Sequence, residues 1–151
     1  MSTKTNFNQI GIGAGMMTAG CYMIFFILMK YMNLVQVLEL RALNFFILLT
    51  GIIQALNKFK NANDNHINYF EGLGLGMLTA VVSTLIFTVF IGIYLSFNSE
   101  LMTYIKVHGM MGSYLNPSAC AFVILIEGIV SGALISFGCM QYYRKYEIGH
   151  S

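Results

Sequence analysis

Charge is what this chain has least of. Only 9% of its 151 residues are Asp, Glu, Lys or Arg, where a soluble domain carries about a quarter. So few charges cannot clothe a water-facing surface, and much of the exterior must meet lipid. The net charge of +2 comes with no basic block or interleaved aromatics, which excludes a nucleic-acid partner. Cysteine is scarce too. Cys21, Cys120 and Cys139 form no C-x-x-C and lie in apolar stretches, so they read as small apolar residues, not disulfide or redox pairs. His66, His108 and His150 fall in polar segments without H-x-x-x-H or H-E-x-x-H spacing, which argues against a metal site. No cofactor is expected.

What the chain does have is long apolar runs. Gln9–Met29 lies between Lys4 and Lys30, and Ala42–Asn57 between Arg41 and Lys58. Gly72–Ser99 holds 28 residues without a charge, and Pro117–Tyr143 holds one, Glu127. A helix rises 1.5 Å per residue, so about 20 residues cross a hydrocarbon core of ~30 Å. The second run has only 16 residues; Arg41 and Lys58 can snorkel outward from its ends. The expectation is one transmembrane domain over 1–151, an all-α integral membrane four-helix bundle. Its helices fall at about 9–30, 40–57, 70–98 and 117–143.

Four spans return the chain to the side on which it starts. That side holds Lys4, Lys58, Lys60, Arg144 and Lys145, and the other Lys30, Arg41 and Lys106. Five cations against three place both termini in the cytoplasm.

The stretch GIGAGMMTAG (11–20) admits three readings. A dinucleotide loop needs G-x-G-x-x-G between a strand and a helix, and Gly11, Gly13 and Gly15 spell G-x-G-x-G with no strand before them. Thr18-Ala19-Gly20-Cys21 resembles a lipobox, but Thr18 stands where leucine is usual and the chain beyond stays apolar. The third reading, close packing of helices, draws support from a copy. Shifted by 61 residues, GIGAGMMTA (11–19) overlies GLGLGMLTA (72–80), and the Gly51 region weakly echoes the Gly132 region. A duplicated helical hairpin, a 2+2 parallel repeat, is the simplest account. Gly11 and Gly15, Gly72 and Gly76, and Gly128, Gly132 and Ser136 recur every four residues. They form small-residue faces on which helix backbones approach closely, and those faces are expected to supply contacts to partners.

Glu127 is the sharpest single residue. It lies about ten residues in from Pro117, at a depth where a carboxylate is expensive and normally faces the bundle interior. Tyr22, Ser83, Thr84 and Thr88 are candidate partners at similar depth. A proton or cation site is one reading, and a neutral carboxyl bonding helices together is the other. Asn44 and Gln54 are expected to hydrogen-bond across helices. SELMTYIKVHGMMGSYLN (99–116) is too polar to span; one reading puts Leu101, Met102, Ile105 and His108 on one face of an interfacial helix over 99–109, ended by Gly109 and Gly112, and the other is an ordered loop. Asn116-Pro117 suits an N-cap and first helical residue. NKFKNANDNHIN (57–68) reads as a solvated turn.

The run from Gly51 to Met102 resembles small four-helix membrane proteins of Bacteroidota known as domain of unknown function 4199. The resemblance rests on the basic, aromatic exit NKFK, on Ile67, Tyr69, Phe70, Glu71 and Gly76 at the entry to the third helix, and on Asn98-Ser99-Glu100-Leu101-Met102 after it. It implies an inner-membrane location and carries no catalytic residues. No nucleophile–base pair or metal cluster is visible. The favoured reading is therefore a non-enzymatic structural or accessory subunit of a membrane assembly, with lipid, other integral membrane subunits or copies of itself as partners. The alternative is a small proton- or cation-coupled carrier or channel using Glu127.

Overall fold

The computed structural model describes residues 2–32, 42–62, 67–108, 114 and 116–148. Arg41, Asp64, His66, Gly109, Gly112 and His150, which carried parts of the sequence reading, lie outside the described residues. Five helices follow in order: α1 Ser2–Tyr31, α2 Ala42–Ala62, α3 Tyr69–Phe97, α4 Ser99–His108 and α5 Pro117–Ile148. Among the described residues there is no strand. The four long helices make the all-α bundle, and α4 is the short helix expected after the third span.

Three stretches are long and apolar enough to cross a membrane: Phe7–Tyr31, Tyr69–Phe97 and Pro117–Tyr143. Among the described residues α2 falls short of them. Its apolar stretch ends at Leu56, and Asn57, Lys58 and Lys60 occupy its last turns. Uniformly apolar helices have no polar face to turn outward, so packing, not amphipathicity, decides which side of each one is inside.

Helix α3 is the centre of the bundle, touching α1, α2, α4 and α5, while α2 also touches α1 and α5. Its buried positions Gly72, Leu75, Gly76, Thr79, Ala80, Ser83, Thr84, Phe87, Ile91 and Leu95 follow the three-and-four spacing of a single helix face. α3 and α5 run antiparallel in steps of four residues. Gly72 meets Met140, Gly76 meets Ser136, Ala80 meets Gly132, and Thr84 meets Gly128. On each side a small residue faces a larger one, which brings the two backbones close.

The α1–α2 pair is antiparallel as well. Phe7 sets its ring edge-on to Phe59 at 5.7 Å, Gly51 lies against Thr18, and the Tyr22 hydroxyl donates to the Asn44 carbonyl at 3.2 Å. α1 and α3 run parallel. A Cβ at Gly11 would come within 2.6 Å of Leu78, and one at Gly15 within 2.8 Å of Val82. Further along, Phe26 packs on Phe90 and Tyr94 at 6.1 and 5.1 Å. The seam is therefore glycine-width in one half and ring-filled in the other.

Two antiparallel hairpins with their first helices parallel is the arrangement the internal repeat requires. The copied glycine steps nevertheless serve different seams. Gly11 and Gly15 face α3, whereas Gly72 and Gly76 face α5.

Three boundaries correct the sequence reading, one of them the end of α5, which reaches Ile148 and not 143. α2 runs on to Ala62, so 57–62 is helix and not a turn. Phe59 is the reason: it is 2% exposed and fills the space beside Phe7, while Asn57 accepts a hydrogen bond from Tyr143 at 2.7 Å. α1 likewise begins at Ser2, seven residues ahead of the expected start. Pro117 opens α5 as expected, with the Asn116 carbonyl accepting from the Cys120 amide at 2.9 Å. Met102 of α4 is buried; the side chains of Leu101, Ile105 and His108 lie outside the described residues.

Candidate functional site

The contacts between helices set a common depth scale. The three membrane-length stretches are centred on Ala19, Ser83 and Val130. Cross-helix contacts tie these levels together: Gly15 with Val82, Thr18 with Gly51, and Ala80 with Gly132. At 1.5 Å per residue, Tyr22 and Glu127 each lie about 5 Å from that mid-level, on the same side of it. Thr84 and Thr88 fall within about 8 Å of it on that side.

Hydroxyls line the bundle interior here, and most bond within their own helix. Thr18 donates to the Ala14 carbonyl at 2.8 Å, Thr79 to Leu75 at 2.9 Å, Ser83 to Ala80 at 3.0 Å and Ser136 to Gly132 at 2.6 Å. Back-bonding of this kind lets a small polar residue sit at a dry helix contact with its donor satisfied. Thr84 and Thr88 are the exceptions. Their buried hydroxyl oxygens have no hydrogen-bond partner, and Thr84, only 3% exposed, is pressed against Gly128.

Tyr22 is the buried hub of the cluster. Its ring packs on Phe87 at 5.1 Å, and its hydroxyl reaches α2 at Asn44. Tyr22, Thr84 and Glu127, named from three separate helices, share this level: Tyr22 packs on Phe87, and Thr84 on Gly128, the residue after Glu127. Ser83 belongs to the same level but spends its hydroxyl on Ala80.

Glu127 departs from expectation in one respect. It does not face the bundle interior; the residue is exposed on α5, among the exposed Val123, Ile126 and Val130. Gly128 and Gly132 take the inward positions, against Thr84 and Ala80, and adjacent helix residues point about 100° apart. Glu127 thus lies beside the inward-facing Gly128 but on the exposed side of α5.

All six glycines singled out from the sequence, Gly11, Gly15, Gly72, Gly76, Gly128 and Gly132, sit at helix contacts that a Cβ would crowd. The contacts are internal: these faces join the chain's own helices and are not left open for partners. Gly51, which packs on Thr18, is a seventh such position. It was marked in the sequence only by its weak echo of Gly132. Gly13, Gly20 and Gly138 face open space. Asn44 makes its cross-helix bond through the backbone carbonyl, not the side chain, and Gln54 is exposed, not inserted between helices.

The cluster can donate, accept and exchange a proton at one carboxyl and several hydroxyls. Among the described residues no group of three or more His, Cys, Asp or Glu could hold a metal ion, and no disulfide joins Cys21, Cys120 and Cys139. No protein-family model, curated protein or solved structure matches this chain.

Proposed function

We propose that this chain is a non-enzymatic integral inner-membrane protein that works as a structural or accessory subunit of a membrane assembly, built with other subunits or with copies of itself. The observation that carries the reading is the placement of Glu127. An acidic residue near the middle of a bilayer costs about 3 kcal/mol on insertion scales. Here it stands on the outward side of α5, between exposed apolar residues. Protonation offsets part of that cost, and the exposed apolar surface around it suits a contact with a neighbouring membrane helix.

The test is recovery from the membrane in mild detergent. Wild-type protein is expected to bring a defined partner set, or to run as a discrete oligomer. Glu127→Gln keeps the hydrogen-bonding atoms and leaves that assembly intact, whereas Glu127→Leu weakens it. A monomer with no partner in both wild type and Glu127→Leu would overturn the reading.

A second reading starts from the ionisable carboxyl of Glu127 near the mid-level of α5: a small proton- or cation-coupled carrier or channel using it. It makes the opposite prediction. An amide cannot ionise, so Glu127→Gln would abolish ion flux in liposomes while assembly stayed normal.

A further inference from the structure

Helix α2 differs from the other three long helices in what it turns outward. Its inner face, Leu48, Ile52, Ala55, Leu56 and Phe59, is at most 2% exposed. Exposed on the opposite side are Leu43, Thr50, Gln54, Asn57, Lys58 and Asn61. Over the same half of the bundle α1 turns Met16 and Met17 outward, and α5 turns Leu134 and Phe137. Those side chains suit lipid tails. A primary amide does not, because hydrocarbon offers it no hydrogen bond.

With the half-buried Ile47 added, the outward residues share a period. Leu43, Ile47, Thr50, Gln54, Asn57 and Asn61 lie alternately four and three apart, the a/d repeat of a coiled-coil seam. Ile47, Gln54 and Asn61 take the a positions, and Leu43, Thr50 and Asn57 the d positions. The seam begins apolar and turns polar from Thr50 onward. A polar residue at an a position fixes register and pairing in a parallel two-helix seam.

Depth makes the amide costly and symmetry supplies its partner. Gly51 rests on Thr18 at the mid-level, so Gln54 lies about 5 Å from that level and Asn61 about 15 Å, at the hydrocarbon boundary. Two copies inserted with the same orientation pair isologously about a twofold axis along the membrane normal. That axis sets α2 parallel to its copy, with each residue facing its own level. A glutamine amide both donates and accepts, so Gln54 is complementary to itself. Lys58 stands at an e position, where the opposing g residue of the copy is Ile53, and no like charges face each other.

We propose that the outward face of α2 docks a second copy of this chain, in a parallel α2–α2 seam with Gln54 bonded to Gln54 of the copy. The proposal rests on the reading of this chain as part of a membrane assembly and deepens it, naming the surface and the partner. In the seam the polar half of α2 is covered by protein and not by lipid. Pairing there gains interhelical hydrogen bonds, which favour association of helices in a bilayer.

The experiment uses the full chain lacking Cys21, Cys120 and Cys139, oxidised mildly in its native membrane. Leu43→Cys and Thr50→Cys are each expected to give a disulfide-linked product of twice the chain mass, because opposed d positions lie within disulfide reach. Met17→Cys, exposed on α1, is expected to stay monomeric. In liposomes, energy transfer between labelled copies is expected to show Gln54→Leu pairing about fivefold more weakly than wild type, with Gln54→Asn close to wild type. The proposal is overturned if both α2 cysteines stay monomeric, if their product has any other mass, or if Gln54→Leu pairs as wild type does. Cross-linking through Val130→Cys on α5 in place of the α2 positions would overturn this seam and leave the assembly reading standing. A wild-type chain that stays monomeric and binds no partner would overturn that reading as well, so the two failures are distinguishable.

Discussion

At Gly76 the difference between a hydrogen and a methyl group decides whether two helices can meet. A Cβ there would collide with the Ser136 side chain and come within 3.2 Å of Ile52. Ser136 has little freedom to yield, because it is fully buried and its hydroxyl is held to the Gly132 carbonyl at 2.6 Å. Gly13, two residues from Gly15 on the same helix, faces open space. Gly76→Ala is therefore expected to destabilise the fold by about 1–3 kcal/mol, the usual cost of overpacking a filled contact. Gly13→Ala is expected to be neutral or mildly stabilising, since alanine is the better helix former. Unfolding of the two variants in detergent, followed by helicity, checks the pair. Equal stability would mean that the α3–α5 contact tolerates separation. Because the crowding is internal, Gly15→Leu and Gly76→Leu should damage the single folded chain before they alter any assembly.

Among the elements, the number and order of the helices were legible in the sequence because charge-poor runs and polar breaks alternate, although only three of the four runs are long and apolar enough to cross a membrane. The face each helix turns inward was only partly legible. α3 and α5 are apolar all round, so no polar stripe marks their outside, and small residues at four-residue spacing were the one available signal. That signal located Gly72, Gly76, Gly128 and Gly132 correctly at contacts. It also held the answer for Glu127: if 128, 132 and 136 face inward, residue 127 is turned about 100° away. The end of α2 was hidden for a different reason. NKFKNA is polar by composition, and only the tertiary contacts of Phe59 and Asn57 keep it helical. Amide hydrogen exchange over 58–62 tests this directly. Those amides are expected to exchange slowly, and Phe59→Ala, which removes a side chain 2% exposed, should speed them and cost about 3 kcal/mol. Rapid exchange in the wild type would restore a turn after Asn57.

For the whole molecule, the packing fixes which helix ends lie together, and the flanking cations give an expectation for the side. The antiparallel α1–α2 and α3–α5 pairs, with α1 parallel to α3, put Tyr31 near Phe97 and α4 at one end, and Ala62 near Tyr69 and Tyr143 at the other. By the positive-inside rule, the cations flanking the second end in the sequence, Lys58, Lys60, Arg144 and Lys145, make it the end expected in the cytoplasm. Single cysteines introduced into a variant lacking Cys21, Cys120 and Cys139 can read this out. Tyr31 and Lys106 are exposed at one end, Asn61 and Glu71 at the other, so each site can react without unfolding. In intact cells a membrane-impermeant thiol reagent is expected to label Tyr31→Cys and Lys106→Cys. Asn61→Cys and Glu71→Cys should react only after the membrane is opened. The inverse pattern would turn the molecule over while leaving the bundle as described. Labelling of Tyr31→Cys and Asn61→Cys from the same side would be more damaging. The α1–α2 hairpin would then fail to cross the bilayer, and the outward Glu127 would no longer lie at mid-membrane depth.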